Sequence, residues 1–218
     1  VILTRRAAAL TALAALTVAI ASSSDGGERR YRSVVIQSLN YFSRPHYAIR
    51  REKVSSRAAW KGEDLRTTGF DAYIIKLEED EKAEILNAVD KADSFLKHSN
   101  QTLEALTLEL FPLPKLGNKI RNIWRKEIME GRGFLVLRGV PVKEWDPRQA
   151  RIFFWGFGRH FGILGAQDND GLLVGNVRDI GADPRTERQY KTNAFIKPHC
   201  DVADIVGLLC LKSAEKGG

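Results

Sequence analysis

Sulfur and imidazole are scarce in this 218-residue chain, which holds two cysteines, one methionine and four histidines. Cys200 and Cys210 stand in no Cys-x-x-Cys pair and in no regular spacing. That excludes a disulfide framework and a zinc knuckle, and makes a reducing compartment the default. Cys200 reads as a small buried hydrophobe, not as a nucleophile. The single methionine is Met129 and the first residue is Val1, so the expectation is that Val1 is not a natural translation start. Acidic residues are missing from the front, where only Asp25 and Glu28 occur before residue 52.

Long apolar runs are missing as well. The longest candidate, Ala7 to Ala21, is alanine-rich and shorter than the ~20 residues that cross a bilayer core, so no stable membrane span is expected. Arg5 and Arg6 precede it, and Ala19-Ile-Ala21 and three serines follow, which is the layout of a secretory signal. The arginines that continue through Arg51 suit a mitochondrial presequence equally well. A stretch with no targeting role is the third reading. Residues 1–59 are therefore expected to be a basic leader running into a disordered linker. A mitochondrial or cytoplasmic location is favoured, with the secretory pathway open.

Positive charge is also absent from most of the chain as a surplus. Residues 1–66 carry 12 Lys+Arg against 5 Asp+Glu, while the rest carry 22 of each, so the net charge of +7 belongs to the front. A neutral folded part argues against a nucleic-acid partner, which calls for basic charge on the domain itself.

What is present is a domain. The hydrophobic fraction of 44% and charged fraction of 28% are globular values. From Trp60 onward the pattern predicts a short strand around Tyr73-Ile-Ile75. A helix over 80–97 follows, with Ile85, Leu86, Val89, Ala92 and Leu96 at helical spacing. A second helix over 118–130 should bury Ile120, Ile123, Trp124 and Ile128, and a buried strand should follow at Phe134-Leu-Val-Leu137. Asp146-Pro147 opens a third helix with an N-cap side chain and a proline in the first turn. Gly156 and Gly158 within it cost roughly 1 kcal/mol each relative to alanine, so something should pack closely there. Further strands are expected at Leu172-Leu-Val174 and leading into His199. Helices first and strands gathering later suit an α+β domain with helices covering an antiparallel sheet.

His199 and Asp201 head the apolar run Val202 to Leu211. On a strand, side chains at i and i+2 point the same way, so this imidazole and carboxylate could grip one ion. Two histidines and a carboxylate on one face of a metal suit non-heme Fe(II) oxygenases. The third ligand has no candidate after Asp201, and of the other histidines His160 suits packing or capping while His46 and His98 sit in polar stretches.

Four segments carry a resemblance. They are Gly131-Arg-Gly-Phe-Leu-Val-Leu-Arg-Gly139, Phe154-Trp-Gly-Phe-Gly-Arg-His-Phe-Gly162, Tyr190-Lys-Thr-Asn193 and His199-Cys-Asp-Val-Ala-Asp-Ile-Val-Gly-Leu-Leu-Cys-Leu211 with Gly217-Gly218. In this order, over roughly residues 60–218, they resemble the TauD/TfdA-like Fe(II)- and 2-oxoglutarate-dependent dioxygenases, most closely a fungal branch. The resemblance implies the N-terminal part of a double-stranded β-helix, a clavaminate synthase-like jelly-roll with flanking helices, its C-terminal half missing. It implies His199 and Asp201 as iron ligands, with a distal histidine and an arginine for 2-oxoglutarate in that missing half. Asn193 is a candidate for co-substrate or substrate binding, against its reading as a turn residue. Fe(II), 2-oxoglutarate and dioxygen follow as implied cofactor and co-substrates, with a small organic molecule as substrate. The alternative is a short non-catalytic relative that serves binding or assembly.

Overall fold

The computed structural model describes residues 52–213 apart from 169, 200 and 202, together with 2–4, 13–19, 35, 38 and 39. For 2–4 and 13–19 it describes the backbone alone. Among the described residues no helix is long and apolar enough to cross a membrane.

The elements in chain order are β1 (Ile2–Thr4), β2 (Leu13–Ala19), α1 (Gly62–Thr68), β3 (Ile74–Lys76), α2 (Glu79–Ser99), α3 (Pro114–Lys119), α4 (Arg125–Met129), β4 (Phe134–Arg138), α5 (Pro147–Arg159), β5 (Ile163–Gly165), β6 (Gly175–Asn176) and β7 (Ile205–Cys210). The strands form one sheet in the order β3-β4-β1-β7-β2-β5, with β6 beside β2. Only β3 and β4 run parallel; the other described pairs are antiparallel. This mixed architecture, with helices over a largely antiparallel sheet, agrees with the α+β expectation.

The core joins α2, α5 and the interior face of β4 and β7. Ile85, Val89, Phe153, Phe157, Leu135, Ile205 and Leu209 are all buried in one cluster. α2 holds its partner helix by charge as well as by packing. The Glu84 carboxylate accepts the backbone N–H groups of Lys115 at 2.7 Å and Leu116 at 2.9 Å. That satisfies two orphan donors at the start of α3, whose own N-cap, Leu113, has no side chain able to do so. Buried Glu81 pairs with Lys119, and buried Asp93 takes Arg148 Nε at 2.7 Å and Lys97 Nζ at 2.6 Å.

α5 begins where the sequence places it. Asp146 caps it by accepting the Gln149 N–H at 2.8 Å, and Gln149 returns the contact to the Asp146 N–H. The close packing expected at its glycines is found at Gly156. A Cβ there would lie 2.3 Å from Cγ of Phe111, so only glycine lets that buried ring lie against the helix.

Three local expectations are corrected. Ile123 is 60% exposed, not buried. Leu116, Ile120, Trp124 and Ile128 carry the buried face instead, at a repeat of four that drifts by about 40° per step in a regular α-helix. A π-helical turn at Ile120–Trp124 absorbs that drift and swings Ile123 to solvent. The strand expected at 172–174 appears at Gly175–Asn176. Leu172 is occupied in closing a turn, with its N–H on Asp168 Oδ1 and its carbonyl accepting the Gln167 N–H. The approach to His199 is irregular and β7 starts only at Ile205. Pro198 has no N–H to give to a ladder.

Most of the expected leader lies outside the described residues, as does His46. Within it, residues 2–4 and 13–19 are strands of the sheet. Near its end, Arg57 makes a two-pronged contact to Glu127 at 3.0 Å on each branch.

Candidate metal centre

The chain reaches the His-x-Asp motif through a loop that is organised by its own hydrogen bonds. Arg178 and Ile180 donate their N–H groups to the carbonyls of Tyr190 and Lys191, which folds 178–191 back on itself. Asp183 holds Arg185 through both carboxylate oxygens, and the Arg188 guanidinium reaches the Gln167 carbonyl at 3.2 Å. Buried Thr192 closes the loop: its hydroxyl donates to the Gln189 carbonyl at 2.8 Å and accepts the Ala194 N–H at 3.1 Å. Asn193 follows directly, with its side chain exposed.

His199 and Asp201 are brought together. His199 Nε2 lies 3.4 Å from Asp201 Oδ1, with the two side chains 50% and 33% exposed. Strand alternation is not the cause, because neither residue is in a strand. The second ring nitrogen supplies the reason. His199 Nδ1 lies 2.9 Å from the Lys197 carbonyl oxygen, which can only accept, so Nδ1 is the donor of that contact and the ring is turned with Nε2 beside the carboxylate. A backbone carbonyl on the far nitrogen is the usual way a metal-binding imidazole is oriented.

The 3.4 Å separation is that of an ion pair, and also one that two ligands of a single divalent ion would have. Two ligand atoms each about 2.1 Å from one ion, and roughly 90–110° apart, lie about 3.0–3.4 Å from each other. Half-exposure leaves room for further ligands on the solvent side. Among the described residues no group of three or more His, Cys, Asp or Glu side chains converges, so these two stand without a third protein ligand. Cys200, between them, lies outside the described residues.

The remaining described histidines belong elsewhere. His98 is exposed on α2 and contacts the Ser94 carbonyl at 2.7 Å. His160 caps the end of α5, buried, with Nε2 donating to the Phe111 carbonyl at 3.0 Å. Burial holds its pKa below the ordinary histidine value, and the Phe111 carbonyl opposes that only in part. The orienting Lys197 carbonyl was not singled out from the sequence, because a backbone group leaves no residue-type signature. Its signal was Pro198, which biases the residue before it to an extended conformation.

His199 and Asp201 thus meet in the irregular segment that leads into β7 of a domain of helices against a largely antiparallel sheet. Comparison with known proteins gives the family. Residues 97–218, more than half of the chain, match the family described as "Taurine catabolism dioxygenase TauD, TfdA family", and the chain belongs to that family. The family implies a jelly-roll fold, with which this mixed helix-and-strand architecture is consistent.

Two curated relatives support the assignment. FR-33289 synthase of Streptomyces rubellomurinus is 29% identical over 173 residues, covering 78% of this chain and 49% of that protein. The taurine hydroxylase-like protein SAT17 of Stachybotrys chartarum is 30% identical over 186 residues, covering 79% of this chain and 46% of that protein. The chain thus spans about half the length of the curated relatives it matches.

Proposed function

We propose that this chain is the N-terminal part of an Fe(II)- and 2-oxoglutarate-dependent dioxygenase that hydroxylates a small organic substrate, with His199 and Asp201 as two of its three iron ligands. The observation that carries this reading is the 3.4 Å approach of His199 Nε2 to Asp201 Oδ1, with the imidazole turned by the Lys197 carbonyl. Family membership supplies the chemical context.

Each residue has a defined task in this reading. Lys197 turns the ring through its carbonyl, which leaves Nε2 as the nitrogen that would meet the ion. Asp201 contributes a charged oxygen beside it and lowers the positive charge of the bound ion. The loop closed by Thr192 fixes the approach and sets Asn193 where its amide could meet a polar group of co-substrate or substrate. When bound, ferrous iron supplies oxygen activation coupled to decarboxylation of 2-oxoglutarate to succinate and carbon dioxide. The third ligand and the anchor for the far carboxylate of 2-oxoglutarate are assigned to the half of the relatives' length that this chain does not span.

Two ligands bind a divalent ion weakly and do not fix which of its faces stay open. The chain alone is therefore expected to produce no succinate above a His199→Ala control in an Fe(II)/ascorbate assay. A polypeptide covering the relatives' full length should turn over and lose that activity with either His199→Ala or Asp201→Ala. Turnover that survives Asp201→Ala would refute the ligand assignment.

A further inference from the structure

Between the turn at Thr192 and the metal pair, exposure alternates along the chain. Asn193, Phe195 and Lys197 are exposed, whereas Ala194 and Ile196 are half-buried. A period of two is that of extended backbone, in which side chains at i and i+2 share a side. Pro198 favours the same conformation at Lys197, the residue before it. The exposed row Asn193, Phe195 and Lys197 then continues in His199, whose side chain is half-exposed beside Asp201.

Phe195 is the anomaly in this row. Its side chain, 78% exposed, is the most exposed of the large apolar ones among the described residues. Single exposed apolar side chains are common and carry no meaning by themselves. Phe195 differs in its setting. Its backbone is anchored from just ahead, where the Ala194 N–H meets the Thr192 hydroxyl at 3.1 Å. A second apolar side chain, Ile180, 66% exposed, is carried on the same loop, its N–H bonded to the Lys191 carbonyl four residues before Phe195. Four residues of chain also place the Phe195 Cα at most about 14 Å from that of His199.

We propose that Phe195 is a specificity-determining residue, and that the substrate carries an apolar body at least the size of one ring, which lies against Phe195 while its reacting end sits beside His199 and Asp201. This rests on the metal reading above and narrows its substrate class. A ligand within reach of the ion lies on the side of the chain that the metal pair presents, and the exposed row brings Phe195 to that side. An apolar body there takes its own surface and that of the ring out of water together. A polar molecule of a few atoms gains nothing from the ring and is too short to touch both ends. Lys197, between the two, can line the path with its aliphatic stem while its charge stays in water.

Paramagnetic Co(II) reads distance from the metal pair, and benzyl alcohol serves as the probe of an apolar body. With the full chain, the Co(II)-induced gain in relaxation rate of the benzyl alcohol ring protons should fall at least about threefold in Phe195→Ser and recover in part in Phe195→Leu. It should keep its wild-type value in Phe70→Ser, which removes a side chain 68% exposed in the turn before β3. Ethanol, with the same hydroxyl and no ring, should gain less than about a third as much. A gain in Phe195→Ser equal to the wild type, or equal gains for ethanol and benzyl alcohol, would overturn the inference. Visible absorbance of the same samples reports Co(II) binding itself and separates the two readings. Bound Co(II) with no effect of Phe195 overturns this inference alone, whereas failure of Co(II) to bind overturns the metal reading and the placement of the substrate with it.

Discussion

His160 is the residue whose chemistry can be followed most closely. Its ring is enclosed by α3 and α5, with Nε2 on the Phe111 carbonyl and the Gly117 backbone close against Nδ1. Arg121 and Arg159 oppose a positive charge on it and Glu84 favours one, but burial dominates and keeps the ring neutral in the folded state. An unfolded chain takes up the proton near pH 6.5. A folded-state pKa depressed below that value means that the stability from this group is fully present above pH 6.5 and is lost as pH falls towards the depressed value. Denaturation of the wild type between pH 7.5 and 5.5 should show falling stability, and His160→Gln, which can still donate to Phe111, should flatten that slope. An unchanged slope in His160→Gln would show that other groups set it. His199 shares the contact to a backbone carbonyl but is half-exposed, and its other nitrogen lies beside a carboxylate.

Helical elements were read well where periodicity and caps agreed. α2 and α5 lie close to where their apolar spacing and, for α5, the Asp146-Pro147 start place them, because both signals are local. The π turn was not legible. It answers a repeat of four that only the packed core enforces, and so Ile123 was assigned to the wrong face. Gly156 tests the packing half of this account. In an exposed helix interior, Gly→Ala stabilises by about 1 kcal/mol. Here the added methyl would meet the Phe111 ring at 2.3 Å, so Gly156→Ala should instead destabilise by about 1–3 kcal/mol, read as a lower urea midpoint. A raised midpoint would show that Phe111 can move aside.

At the scale of the whole molecule, composition marks residues 1–59 as a basic leader, and 2–4 and 13–19 within it pair as strands of the sheet. An apolar run bounded by arginine and serine reads the same way whether it enters a membrane machinery or a sheet; only its partners distinguish the two. The meeting of His199 and Asp201 is expected from strand alternation, but both lie in the irregular segment ahead of β7, where the Lys197 carbonyl turns the ring.

The central claim is that His199 and Asp201 bind one divalent ion together. Titration of the chain with Co(II), followed by visible absorbance, tests it without requiring turnover. The account predicts weak binding that drops by at least about tenfold in both His199→Ala and Asp201→Ala, a loss at the low end of what disturbing a metal site costs. Unchanged Co(II) affinity in either variant would contradict it.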